Sequence, residues 1–520
     1  MTHPAFRKAL FCAACVFAGW VAAFSMPPVS FWPCMFAGLS ALYWLFSRTQ
    51  GAGQAFFAGF LFALGYFVTG LWWIGNALLV EGNDFAWVWP ISVIGLPTLL
   101  GLFTGTFLAI ARMSFSPRSL KGFIAFCFFL TLSEWARGNA FTGFPWNLYG
   151  YVWADHLAMA QVLHFIGAYG LTFASVLWCA LGGYLIVCGK DTRFKITAAG
   201  IALATLAATF AFGQLRLNNN PTEFDKSAGL LVVQPNIPQN MKWDPVAVQE
   251  NFLKIASLSK TAIFANPQPK NLFILWPETA ISPSVYTVTE NMDRIRDILQ
   301  GYKGSEAYLV TGILRRMGEG GEQARYANSV VFLNKNLSAL KTYDKTHLVP
   351  FGEFIPLQNW IPLKPVAAFR GFERGNGATT IERDGSPAFS PLICYEVIFP
   401  GEVVSREKRP DWIVNVTNDG WYGDSAGPHQ HFAQTRLRAI EEGLPVVRSA
   451  NTGISGVIDS YGRVVDDAGI FQEAAIMSYL PRPIADRGLY GRLAFGLLLP
   501  LVGLALMLQV LLSRRFLPYT

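Results

Sequence analysis

The 520-residue chain has charge on only 14% of its side chains and aromatic rings on another 14%, a mixture too apolar for an ordinary soluble protein. The net charge of +7 does not indicate a nucleic-acid surface. Residues 226–482 carry 26 basic and 26 acidic side chains, so the excess lies among the 15 basic and 8 acidic residues beside apolar runs, where it is a topology signal.

In chain order, seven apolar runs precede residue 217, near 9–26, 31–47, 55–79, 87–111, 122–138, 158–188 and 196–215, and an eighth lies near 490–512. A span needs about 20 apolar residues, so these predict eight membrane spans. The first two are short and joined by "PPVS", as in a tight hairpin. The first reads as a span and not a cleaved signal, because the second follows at once with no A-x-A site between them. Run 158–188 is long enough to tilt or to extend past the bilayer. Arg7 and Lys8, Arg48, the group Arg112, Arg118 and Lys121, the group Lys190, Arg193 and Lys195, and Arg514 and Arg515 all fall on one side if eight spans alternate. The positive-inside rule makes that side cytoplasmic and puts both termini there, with residues 217–488 on the outer side. Trp72, Trp73, Trp87 and Trp89, near the outer ends of spans, read as interfacial anchors.

Residues 217–228, "LNNNPTEFDKSA", form a polar linker. Short β-branched runs follow: "GLLVVQPN", "NLFILWPE", "AYLVTGIL", "SVVFLN", "SPLICYE", "DWIVNVTND", "PVVRSANTG" and "SGVIDSYG". Helical stretches at 246–265, 288–301 and 428–442 separate some of them, which predicts one α/β domain. Several strands are apolar throughout, as when both faces of a sheet are covered.

Six of the seven cysteines lie in the apolar runs; Cys394, in "PLICYEVIFP", does not. A lone thiol outside the cytoplasmic membrane has no disulfide to make and is open to oxidation, which favours its retention for chemistry. Two other strand ends are chemically loaded. "NLFILWPET" carries Glu278, and "LKTYDKTHLVPFGEF" carries Lys345 with Glu353 eight residues on. A thiol, a carboxylate and an ammonium form a workable set for acyl transfer: the carboxylate takes the thiol proton, and the ammonium stabilises the oxyanion and helps lower the thiol pKa. Singly, each has a plainer reading, a buried small residue or a salt bridge. The pair His429 and His431 is too isolated to read as a metal site.

The contexts "WPET", "YDKTHLVPFGE" and "LICYE" resemble the nitrilase, or carbon–nitrogen hydrolase, superfamily. With "QPNIPQNMKW", "NVTNDGWYG", "RSANTGISGVID", the outer loop "EWARGNAFTGFPWNLYGY" and the eight spans, the whole chain resembles the apolipoprotein N-acyltransferase family. The resemblance implies a membrane α-helical bundle of eight spans plus one extracytoplasmic α/β domain, an αββα sandwich of nitrilase type. The expected divisions are 1–216, seven transmembrane helices; 217–488, a periplasmic catalytic domain; and 489–520, the eighth span and a cytoplasmic tail. It implies residence in a bacterial cytoplasmic (inner) membrane and transfer of an acyl chain from a phospholipid donor to the N-terminal S-diacylglyceryl-cysteine of an apolipoprotein. That is a ping-pong reaction through a thioester, with no cofactor, metal or nucleic acid. Glu278 is then the base, Lys345 the oxyanion stabiliser and Cys394 the nucleophile, with Trp243, Glu353, Tyr395 and Glu396 in support. The apolar stretch 354–372, with Phe354, Trp360 and Phe369, reads as a lid that meets lipid. An amidase with water as acceptor shares the triad but needs no eight-span base. A transporter usually shows more intramembrane polar groups than Glu134, Arg137 and His164.

Overall fold

The computed structural model describes residues 4–81, 86–265, 269–317, 325–355 and 371–486. The eighth apolar run, and Trp360 and Phe369 of the expected lid, lie outside the described residues. Two compact units are present. One takes in the chain up to Gly75 and Pro90–Asn220; the other takes in Asn76–Trp89 and Pro221–Asp486.

The first unit is helical: α1 (Pro4–Ala23), α2 (Pro33–Ser47), α3 (Ala52–Leu71), α4 (Trp89–Ser114), α5 (Leu120–Asn139), α6 (Leu157–Ala160), α7 (Leu163–Val187) and α8 (Thr192–Asn219). Among the described residues, five helical stretches are long and apolar enough to cross a bilayer: Pro4–Ala23, Ala52–Leu78, Ala86–Ser114, Leu163–Val187 and Thr192–Asn219. At 15 residues, α2 is shorter than the roughly 20 that a span needs. Run 158–188 is not one element. It divides into α6 and α7, and Gly167, at φ 66°, breaks the helical path again near the start of α7. Helices α1 and α3 touch backbone to backbone: a Cβ on Gly19 would stand 1.9 Å from the Phe62 carbonyl oxygen, and one on Gly65 2.1 Å from that of Val16. Small residues allow such approach where lipid offers no hydrophobic drive between helices. Trp73 departs from the anchor reading. It is buried, with its ring centroid 4.9 Å from that of Trp146, while Trp72 and Trp87 are exposed.

Near the end of α5, buried Arg137 meets Glu134 through two 2.7 Å hydrogen bonds and donates to the Phe144 and Asn147 carbonyls. Glu134 accepts in turn from the Tyr149 amide. The only two charges in this segment thus neutralise each other and fasten the 140–149 loop to its helix.

The second unit comprises β1 (Phe224–Gln234), α9 (Val248–Ala265), β2 (Asn271–Ile281), α10 (Pro283–Tyr286), α11 (Thr289–Gln300), β3 (Glu306–Met317), β4 (Arg325–Leu333), β5 (Ala339–Asp344), β6 (Ile381–Arg383), β7 (Ser386–Ile393), β8 (Trp412–Thr417), α12 (Ala426–Glu442), β9 (Val446–Ala450), β10 (Ser455–Ile458), β11 (Val464–Ala468) and β12 (Ala474–Pro481). They form two six-stranded sheets, in the orders β12-β1-β2-β3-β4-β5 and β11-β10-β9-β8-β7-β6. The central strands are parallel: β1, β2 and β3 in one sheet, β7, β8 and β9 in the other. The sheets face each other. Phe273 of β2 meets Trp412 of β8 edge-on at 5.4 Å, Phe332 of β4 meets Phe389 of β7 at 5.3 Å, and Ser449 Oγ of β9 donates to the Val233 carbonyl of β1 at 2.9 Å. Helices α9 and α11 cover the other face of the first sheet through Phe252, Ile255, Ile295 and Leu299. With both faces covered, β2 is buried almost throughout, as its unbroken apolar run requires.

Candidate active site

Glu278, Lys345 and Cys394 each sit at the C-terminal end of a strand, where side chains leave the sheet for a crevice. Glu278 lies near the end of β2, Lys345 directly after β5, and Cys394 directly after β7. All three are buried. The first two come from one sheet and Cys394 from the other.

The sequence reading carried the strand through Glu396, but β7 stops at Ile393 and residues Cys394–Ile398 form a 3-10 turn. Cys394 takes φ 54°, a left-handed conformation that costs a non-glycine residue on the order of 1 kcal/mol or more. Glu396 explains the turn. Its carboxylate accepts from the Ile393 amide at 2.7 Å, and from the Thr346 amide at 2.6 Å, the His347 amide at 3.0 Å and the Tyr343 hydroxyl at 2.9 Å. It therefore clamps the Cys394 turn to the segment that follows Lys345. Burial lifts this carboxyl above its ordinary value against those donors.

Lys345 Nζ donates to Glu353 Oε1 at 2.8 Å and lies 3.7 Å from Glu278 Oε1. Asn328 of β4 binds the same two carboxylates, at 2.7 Å to Glu278 and 3.3 Å to Glu353. Burial works against the Lys345 charge, but Glu353 and Glu278 outweigh it and hold the ammonium above its ordinary value. Glu353 is fixed by the Val349 amide at 2.9 Å, so it positions the lysine.

One expectation is corrected: Lys345 does not leave the thiol with a lowered pKa. Burial, followed by the Glu278 carboxylate, pushes Cys394 up to about 12 despite Lys345. Leaving water costs an anion more than one ammonium shared by two carboxylates returns. Cys394 therefore rests as a neutral thiol near the Glu278 carboxylate.

Tyr395 donates to the Leu348 carbonyl at 3.3 Å, and its ring lies 5.9 Å from Lys345 Nζ. Trp243 lines a pocket with Lys242, Glu278, Asn251 and Asn451. The "QPNIPQNMKW" loop that carries Trp243 is pinned by Asn451 of "RSANTG", which bonds Ile237 through both its side-chain atoms.

Two polar residues at the centre escaped the sequence reading. Asn328 had no signal, being one amide in an apolar strand. Lys242 stands beside Trp243 in a motif already singled out. It is buried, donates to the Glu278 carbonyl at 2.9 Å, and is pulled down to about 8 by burial against the pull of Glu278 and Cys394. That carbonyl also receives the Thr279 hydroxyl. His431, one of the pair examined for metal binding, is turned onto Asp419 at 3.0 Å.

Two family descriptions divide the chain: "Apolipoprotein N-acyltransferase N-terminal domain" matches residues 18–181, and "Carbon-nitrogen hydrolase" matches residues 232–483. An apolipoprotein N-acyltransferase of Rhodopseudomonas palustris is 39% identical over 515 residues, covering 96% of this chain and 94% of the relative. One of Rickettsia prowazekii is 33% identical over 506 residues, covering 96% and 98%. Among solved structures, a Nesterenkonia amidase aligns with 51% of this chain and 94% of its own, at TM-score 0.36 and 17% identity. With relatives 33% and 39% identical over nearly their full length, and with both halves matched, the chain belongs to the apolipoprotein N-acyltransferase family.

Proposed function

We propose that this membrane protein N-acylates the N-terminal S-diacylglyceryl-cysteine of apolipoproteins, the last step of bacterial lipoprotein maturation, with a phospholipid as acyl donor. The observation that carries the mechanism is the buried cluster of Glu278, Lys345 and Cys394. Glu278 takes the S–H proton as sulfur attacks the donor's ester carbonyl, and Lys345 faces the oxyanion. The lysophospholipid leaves with the proton from Glu278, and a thioester remains on Cys394. The acceptor amine then attacks. Its proton passes through Glu278 to the departing sulfur, which restores the thiol. A thiol that stays neutral until a base removes its proton suits this sequence, because no free thiolate waits between substrates.

Trp243 walls the pocket beside Glu278; Tyr395 and Glu396 hold the turn. The wider arrangement is part of the same reading: eight spans in the inner membrane, both termini cytoplasmic, and divisions at 1–216, 217–488 and 489–520. Residues 217–488 form an αββα sandwich on the periplasmic side. The reaction uses neither cofactor nor metal.

Intact-mass and peptide mass spectrometry of the purified protein mixed with phospholipid tests this reading. The expected result is an acyl adduct on Cys394, discharged by a diacylglyceryl-cysteine peptide and absent in Cys394→Ser. An adduct that Cys394→Ser still forms, or none in the unaltered protein, would overturn it.

A further inference from the structure

Glu278 does not project from a regular strand. The β2–β3 ladder pairs Trp276 with Thr311 and next pairs Ile281 with Ile313, so Pro277, Glu278, Thr279 and Ala280 stand opposite the single residue Gly312. A bulge re-aims a side chain, and proline, which cannot donate to a ladder, fits within one. The backbone here is tight. Thr279 takes φ 49°, in the left-handed region, and a Cβ on Gly312 would stand 2.4 Å from the Thr279 nitrogen and 2.6 Å from the Glu278 Cα.

Neither neighbouring strand, β1 or β3, pairs with Glu278. Its buried carbonyl therefore needs a partner from elsewhere. Lys242 supplies one: Nζ donates to that carbonyl at 2.9 Å, and the Thr279 hydroxyl adds a second bond at 2.8 Å. The lysine comes from outside the sheet, on the "QPNIPQNMKW" loop, which α9 fastens through Asn251 Nδ2 on the Met241 carbonyl at 2.9 Å. The other end of Glu278 is held separately, its carboxylate accepting from Asn328 of β4 at 2.7 Å. The residue is thus gripped at its carbonyl from a loop and at its carboxylate from a strand.

Stability does not account for Lys242. It is buried, and among the described residues the Glu278 carbonyl is its ammonium's one hydrogen-bond acceptor. Burying a cation against a neutral oxygen costs more than the bond returns, and burial here outweighs the pull of Glu278 and Cys394 on this group. A charge held at net cost on the backbone of Glu278 has its use in the site.

We propose that Lys242 is a positioning residue: by gripping the Glu278 carbonyl it locks the bulge and so fixes where the Glu278 carboxylate stands. The inference rests on Glu278 being the base that takes the Cys394 proton.

The test is a double-mutant cycle on acylation of Cys394 in the detergent-solubilised full-length protein, read as intact mass against time. Two donors are used, a phospholipid and the soluble ester p-nitrophenyl butyrate; with the ester, the sulfur–carbonyl bond forms as p-nitrophenolate leaves. Lys242→Met keeps most of the side chain's length and removes its donors. It is expected to slow acylation by about tenfold beside Glu278, and by less than about twofold in the Glu278→Gln background, where the base it positions is gone. The unfolding midpoint near neutral pH should not fall, since methionine buries no charge. A Met variant as fast as the unaltered protein overturns the proposal. So does equal slowing in both backgrounds, which assigns Lys242 to the fold. Should Lys242→Met not fold, Lys242→Gln, shorter and uncharged, is put through the same cycle. Unaltered protein that takes an acyl group on Cys394 from the ester but never from phospholipid would overturn the proposed function and leave the cycle readable; acylation by neither donor would overturn both.

Discussion

Replacing Glu396 by glutamine tests whether the clamp between the Lys345 segment and the Cys394 turn holds the site together. Oxygen Oε1 of Glu396 receives Tyr343, Thr346 and His347, and Oε2 receives Ile393. An amide retains one oxygen. Either it faces the three donors and turns its NH2 against the Ile393 amide, or it faces Ile393 and opposes three donors. The first arrangement loses one charge-assisted bond, weakens three and leaves a buried donor without an acceptor, a total of about 3 kcal/mol. For a unit of this size that lowers the unfolding midpoint by roughly 6–12 °C. The Cys394 turn is also freed from the Lys345 segment, so acyl-adduct formation should fall by at least about tenfold even in protein that remains folded. Thermal unfolding in detergent measures the first effect, and adduct mass against time the second. A Gln variant with unchanged midpoint and unchanged adduct rate would refute the clamp.

Glu278→Gln should slow acylation of Cys394 by about 100-fold or more, read as adduct accumulation, because the proton has no other carboxylate as close to leave by. Lys242 titrates near 8 when folded and near 10.5 otherwise, so between those values the unfolded chain binds the extra proton. Stability should therefore rise with pH across that window, by about 3 kcal/mol in all, and Lys242→Met should flatten the rise in unfolding curves taken from neutral to alkaline pH. Arg137→Met strands buried Glu134 and the carbonyls of the 140–149 loop, and should cost about 3–5 kcal/mol in thermal unfolding.

Much of the site was legible because its chemistry interrupts apolar strands. Glu278 and Cys394 each follow an apolar run and Lys345 follows a short strand, and ionisable groups at strand ends stand out against their neighbours. The strands read from sequence are the inner ones, whose covered faces demand continuous apolar residues. Of the four sheet edges, β5, β6, β11 and β12, only the end of β5 was read, through Lys345. Edge strands make one ladder and meet solvent, so sequences such as "ALKTYD" and "VVDDA" show no clean period. The break at Gly167 escaped because one glycine in an apolar helix is common, and only the backbone shows that it has left the helical region. The thiol pKa was misjudged for a different reason: a motif names a lysine but not its burial or the two carboxylates that share it.

The division of the triad between two sheets makes reactivity a late product of folding. As the chain emerges, Glu278 and Lys345 are laid down on the first sheet, about 50 or more residues before Cys394 appears on the second. Until the two sheets stack, Cys394 is a thiol with neither group beside it, and Glu278 and Lys345 have nothing to activate. Under the proposed mechanism, the domain becomes able to take an acyl group only in the act of completing its core. A misfolded copy left in the membrane would be chemically idle and would draw no acyl chains from the surrounding lipid.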